Sequence, residues 1–122
     1  MSSIEGMWAF VCGSFAAPND VIDRGILVLE SGRVFGGDSA MAYQGSFAVK
    51  GEHFTAHVLS WTWNSTFAAS GIPNAFGVTG QDRQRVLFEA NRTGNRIDGH
   101  MYLRTNPGAK LSAALVKITD LP

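Results

Sequence analysis

Hydrophobic and polar positions alternate over short runs separated by glycine and other turn residues, and no segment sustains the period of about 3.6 residues that marks an amphipathic helix. Runs rich in Val, Ile, Phe, Tyr, Trp and Thr predict strands over Gly6 to Gly13, Arg24 to Glu30, Arg33 to Phe35, Ala40 to Val49, Glu52 to Trp63, Arg85 to Arg92, Arg96 to Arg104 and Leu111 to Ile118. About eight strands is the number at which an up-and-down barrel closes around side chains or one small ligand. The pattern therefore predicts an all-β chain, a single antiparallel barrel forming one domain over residues 1–122.

Turn chemistry sets the expected register, because a slip of one residue moves every side chain to the other face. A two-residue loop at Lys50-Gly51 sets Phe47 against Phe54, Gly45 against Ala56, Tyr43 against Val58 and Met41 against Ser60. A loop at Gly94-Asn95 sets Val86 against Leu103, Phe88 against Met101 and Ala90 against Gly99, with Glu89 facing His100 outside. The alternative loop, Thr93-Gly94, would face Glu89 with Asp98, a like-charge pairing that is disfavoured. Ser31-Gly32 pairs Glu30 with Arg33 and Leu29 with Val34.

These registers predict an interior of Met41, Tyr43, Phe47, Phe54, Val58, Val86, Phe88, Met101 and Leu103, bulky enough to leave little room. The outer face is not cleanly polar, since Leu59, Trp61, Leu87 and Tyr102 fall on it, and apolar side chains outside a barrel point to a partner surface. Two segments break the meander. Ser14 to Asp23 reads as a turn-rich loop, and Asn64 to Gln84 as a longer excursion that closes one barrel end through Phe67, Ile72 and Phe76.

Composition narrows the function classes. Hydrophobic residues make up 45% and charged residues 16%, enough to drive collapse. Ten basic residues balance ten acidic ones without blocks of either sign, so the electrostatic footprint expected for nucleic acid is missing. No run reaches the roughly 20 apolar residues of a membrane helix, and the start, MSSIEGMWAF, has no basic segment followed by an apolar one; no membrane partner and a cytoplasmic location are expected. Without a secretory signal, the sequons Asn64-Ser65-Thr66 and Asn91-Arg92-Thr93 read as chance matches. The single cysteine, Cys12, lies in an apolar run and reads as a small buried hydrophobe.

Candidate chemistry is sparse. His53, His57 and His100 with Asp38, Glu52, Glu89 and Asp98 are the titratable groups a catalytic site would draw on, and the registers scatter them. His53 and His57 share an outer face without a third ligand. No catalytic residue, metal site or cofactor is assigned, and no nucleophile elbow or phosphate-binding glycine loop is present.

Gly6-Met7-Trp8, Gly25-Ile26-Leu27-Val28 with Ser31-Gly32-Arg33, Gly36-Gly37-Asp38, Tyr43-Gln44-Gly45 and Gly71-Ile72-Pro73-Asn74-Ala75-Phe76-Gly77 occur in an order that resembles the GrlR-type family. That family is named after a negative regulator of type III secretion gene expression, and the resemblance covers nearly the whole chain. It implies a lipocalin-like barrel, a homodimer, and action by capture of a transcription activator rather than by DNA binding. The regulator engages its partner through a Glu-Asp-Glu-Asp run; the matching positions here read Val49-Lys50-Gly51-Glu52, so that contact does not carry over. Gly6-x-Trp8 is similar to the lipocalin first strand, where the Trp plugs one barrel end, and Gly36-Gly37-Asp38 is expected to form a turn or bulge with unusual backbone angles.

Two functions are expected in consequence. The first is a non-enzymatic regulatory or adaptor protein working through protein contacts on Leu59, Trp61, Leu87 and Tyr102. The second is a lipocalin-like carrier or sensor of a small apolar ligand, lined by Tyr43, Phe47, Phe54, Phe88 and Met101.

Overall fold

The computed structural model describes residues 3–17, 19–77 and 83–122. Eight strands follow in chain order: β1 (Gly6–Ser14), β2 (Val21–Glu30), β3 (Arg33–Gly37), β4 (Met41–Lys50), β5 (His53–Thr62), β6 (Gln84–Thr93), β7 (Arg96–Leu103) and β8 (Asn106–Thr119). Each pairs antiparallel with the next, and β8 returns to β1, closing the barrel. Among the described residues the only helix is α1 (Ser65–Ala69), whose first turn is capped by the Asn64 side chain accepting the Phe67 N–H. No described helix is long and apolar enough to cross a membrane.

The hairpins β2–β3 and β6–β7 have the registers that their turns predict, Leu29 opposite Val34 and Phe88 opposite Met101. Ser31 and Gly32 both take positive φ, as a tight hairpin turn matching strand twist requires. The β4–β5 hairpin differs. Its two-residue loop is Gly51-Glu52, with Gly51 at φ 62, so Lys50 faces His53 and Phe47 faces Ala56. The Lys50-Gly51 reading is displaced by two positions in pairing. Because the side-chain period is two, every residue keeps its face, and Phe47 still stacks diagonally on Phe54, centroids 5.6 Å apart.

Two strands begin well before their expected starts. β2 begins at Val21 rather than Arg24, which brings Asp23 inside the sheet opposite Cys12. β8 begins at Asn106 rather than Leu111, and its first five residues are exposed. Gly36 and Gly37 do not take the unusual backbone angles expected of them; neither has positive φ. Gly36 is needed for closeness, since a Cβ there would meet the Ile26 carbonyl oxygen at 2.1 Å.

One end of the barrel, where the β2–β3, β4–β5 and β6–β7 turns lie, is filled. Trp8, Phe54, Leu29 and Ile97 are fully buried there, each side chain of this size contributing about 1.5–3 kcal/mol by burial. The Trp8 Nε1–H donates to the Ile4 carbonyl at 2.9 Å. The opposite end receives the 64–77 segment. Phe76 and Ala75 pack against the core, whereas Ile72, expected to help close this end, is exposed.

Candidate functional site

The inward positions near the open end alternate large and small side chains. Ala56 and Ser60 on β5 face inward between Phe54, Val58 and Thr62, so the interior does not fill as its bulky residues alone suggested. A cavity of about 90 Å³ remains. Phe10, Leu27, Leu29, Val58, Val86 and Leu115 form much of its wall, and Ala75 and Phe76 close over it.

Of the sequence-predicted lining residues, Tyr43, Phe54, Phe88 and Met101 reach the cavity. Phe47 does not. It sits at the filled end, packed on Phe54, because β4 runs past the cavity floor before it turns. Phe54 also meets Phe88 edge-on at 5.6 Å, and Phe10 meets Tyr43 edge-on at 5.8 Å, so the aromatic wall is held by ring contacts on both sides.

Polar groups gather at one end of this space. Asp38, in the turn between β3 and β4, accepts the N–H groups of Ala40 at 2.8 Å and Met41 at 2.7 Å, and the Tyr43 hydroxyl at 2.6 Å. Asp23 projects inward from β2 into the cavity lining, and its carboxyl feels the charge of Asp38. Burial, then the charge of Asp38, raises the Asp23 carboxyl above its ordinary value. Burial also raises the Tyr43 phenol, reinforced by its hydrogen bond to Asp38. Cys12, opposite Asp23, has its thiol pushed up to about 12, first by burial and then by Asp23, which leaves it protonated and unreactive as a nucleophile. On the other side of the opening, the Asn74 side-chain amide donates to Gln84 at 3.0 Å while its oxygen accepts the Phe76 N–H.

Sequence reasoning missed Asp23 because Ser14 to Asp23 looked like a loop. The signal was present in the period-two series Asp23, Gly25, Leu27, Leu29, which continues the inward face of β2.

The titratable groups considered for catalysis stay apart. Glu89 and His100 are adjacent on the outer face, Oε2 to Nε2 at 3.2 Å, a half-buried surface pair worth about 0–1 kcal/mol. His53 and His57 lie outside, opposite Lys50 and Ser46. Among the described residues no group of three His, Cys, Asp or Glu side chains is arranged to hold a metal ion.

The outer apolar residues form two sets. Leu59, Trp61, Leu87 and Tyr102 are half-buried on β5, β6 and β7. The Arg83 guanidinium covers the Trp61 ring at 4.4 Å, and Tyr102 stacks on His100. A more exposed set lies on β8, β1, β2 and β3. Val116 neighbours Ala9, which neighbours Ile26; Met7 neighbours Val28, which neighbours Phe35. Val116, Met7, Ile26 and Phe35 are 38%, 39%, 42% and 43% exposed. The run Gly25-Ile26-Leu27-Val28-Leu29 is apolar on both faces, the pattern of a strand covered on both sides.

No protein-family model matches this chain, and no curated protein matches it either.

Proposed function

We propose that this chain is a non-enzymatic cytoplasmic binding protein that holds a small, mainly apolar ligand inside its barrel. The observation that carries this reading is the cavity: about 90 Å³, walled by Phe, Leu, Val and Met side chains, with its polar groups confined to one end. An apolar pocket with a few convergent polar groups is the usual form of a small-molecule site. Binding without turnover is supported by Cys12 being held as the thiol and by the three histidines lying on the outer face. Native mass spectrometry of the protein isolated from its own cells tests this. A discrete added small mass that is lost when Ala56→Leu fills the cavity is expected; a ligand-free protein that also shows no saturable binding of small apolar compounds overturns it.

A second reading is favoured by the exposed face of β8, β1, β2 and β3. In it a second copy of this chain covers the face, and the homodimer acts by protein contact, as a regulator that captures a transcription activator, the role implied by the family resemblance. The rim of this face carries Arg24, Arg33 and Arg96 together with Glu30 and Asp98. Such a mixed rim suits a self-complementary two-fold contact better than a partner of one strong sign.

A further inference from the structure

Two carboxyls lie at or beside the mouth of the cavity. Asp23, on β2, lines the cavity, and Asp38, on the β3–β4 turn, accepts the hydroxyl of Tyr43, which lines it too. No described lysine, arginine or histidine pairs with either carboxyl; the described ion pairs are Arg96 with Asp98, His100 with Glu89 and Lys117 with Asp120. Of the neutral polar groups nearby, Tyr43 is engaged with Asp38, and Asn74 with Gln84 and Phe76. Neither carboxyl has a cationic partner among the described residues.

We propose that the ligand is an amphipathic organic cation: an amine or amidine nitrogen seated between Asp23 and Asp38, with its apolar part in the cavity. This rests on the reading of the cavity as a ligand site. A protonated nitrogen donates hydrogen bonds to both carboxyls and removes the repulsion between them, whereas a fatty acid would add a third carboxyl to the pair. An alcohol satisfies hydrogen bonds but leaves the charge uncompensated. A bare divalent cation is a poor fit, because calcium takes about six to eight oxygen ligands and this mouth opens onto hydrocarbon.

Size limits the apolar part. The cavity is smaller than the engineered cavity of about 150 Å³ that holds benzene, so it accommodates a short alkyl chain, or one ring if the flexible Met41 and Met101 side chains give way. The ligand class is therefore a short alkylamine or arylalkylamine rather than a long-chain lipid.

A protonated nitrogen pairs with the ionised form of Asp23, so cation binding tightens as pH rises through the range in which Asp23 ionises.

Isothermal titration with hexylamine, hexanol and hexanoate separates the head group from the tail. Hexylamine is expected to bind about tenfold or more tightly than hexanol, with hexanoate weakest. Asp23→Asn and, separately, Asp38→Asn should erase the preference for the amine, and Ala56→Leu should weaken all three compounds. Equal binding of hexylamine and hexanol by the unsubstituted protein, or a preference that survives both Asp substitutions, overturns the cationic head and leaves the cavity reading standing. Saturable binding of none of the three, with no change on Ala56→Leu, overturns the cavity reading itself. Circular dichroism of each variant establishes that it is folded, and Ser60→Leu serves as the filling variant if Ala56→Leu is not.

Discussion

The Lys117 ammonium stands 6.0 Å from the centroid of the Trp8 ring, at the filled end of the barrel. Lys117 projects inward from β8 opposite Trp8, its side chain almost wholly buried, and it reaches Asp120 and the Ser3 carbonyl. The stem of Lys117 is buried beside Trp8 while its charge is satisfied at the rim, so strand β8 and strand β1 are tied where the barrel closes. Trp8→Ala should cost about 3–5 kcal/mol in urea unfolding, by loss of a fully buried ring. Lys117→Met should cost less than about 1 kcal/mol, because it keeps the stem and leaves Asp120 in water, whereas Lys117→Ala should cost more. A Lys117→Met variant as unstable as Trp8→Ala would show that the charge, not the stem, ties the strands.

Curvature makes a second prediction. A Cβ on Gly99 would lie 2.0 Å from the Glu89 carbonyl oxygen and 2.6 Å from the Ala90 Cα, so β7 can approach β6 this closely only without a side chain. Gly99→Ala should destabilise by about 1–3 kcal/mol or more, since the obstruction is backbone. Gly108→Ala meets nothing within 4 Å and should be neutral or slightly stabilising. Thermal unfolding of the two variants side by side distinguishes a local clash from a general intolerance of alanine.

How much of this was legible in the sequence depended on what each signal encoded. Ser31-Gly32 and Gly94-Asn95 gave their hairpins correctly, because the outer pairs Glu30 with Arg33 and Glu89 with His100 discriminated between neighbouring registers. At β4–β5 no charge pair did so, and glycine was assigned to the second loop position rather than the first. The cavity escaped because bulk was counted while inward Ala56 and Ser60 were not. Apolar residues that continue across both faces of β2 conceal which side is outward, so the exposed Ile26 and Phe35 face was missed in favour of Leu59 and Trp61, where polar neighbours made the alternation visible.

The two outer faces can be told apart by substitution. If the β8–β1–β2–β3 face pairs two copies, Ile26→Glu buries a charge in the contact and should convert a dimer to a monomer in light scattering. Trp61→Asp, on the face where Arg83 already covers the ring, should leave that dimer intact. A monomeric unsubstituted protein, or a dimer broken by Trp61→Asp and not by Ile26→Glu, rules out this face as the contact.

Cys12 reports on the interior. Its thiol is pushed up to about 12 by burial and by Asp23, so at mildly alkaline pH almost none is thiolate. Labelling by a thiol reagent should be slow in the folded protein and become fast with the same denaturant midpoint as the loss of β structure. Rapid labelling under native conditions would place the thiol in an environment more open than the lining between Phe10 and Asp23.

Acid dependence should distinguish Asp23 from the other carboxyls. Its folded value is raised above 3.8 by burial and by Asp38, so the folded chain holds the Asp23 proton more tightly than the unfolded chain does. The resulting stabilisation is complete below 3.8 and is lost as pH rises through the raised folded value, the reverse of a salt-bridged carboxylate. Of the groups facing Asp23, Cys12 on β1 and Tyr43 on β4 are themselves shifted upward and stay protonated throughout, which leaves Asp38 as the charged neighbour. Asp23→Asn keeps the shape without the charge. It should therefore raise the melting temperature near neutral pH, and the gain should shrink to nothing as the solution is acidified below 3.8, when Asp23 is neutral in both states. A variant less stable than the unsubstituted protein near neutral pH, or a gain that persists unchanged in acid, would mean that the Asp23 charge is compensated in the folded protein and that the mouth of the cavity is not short of a cation.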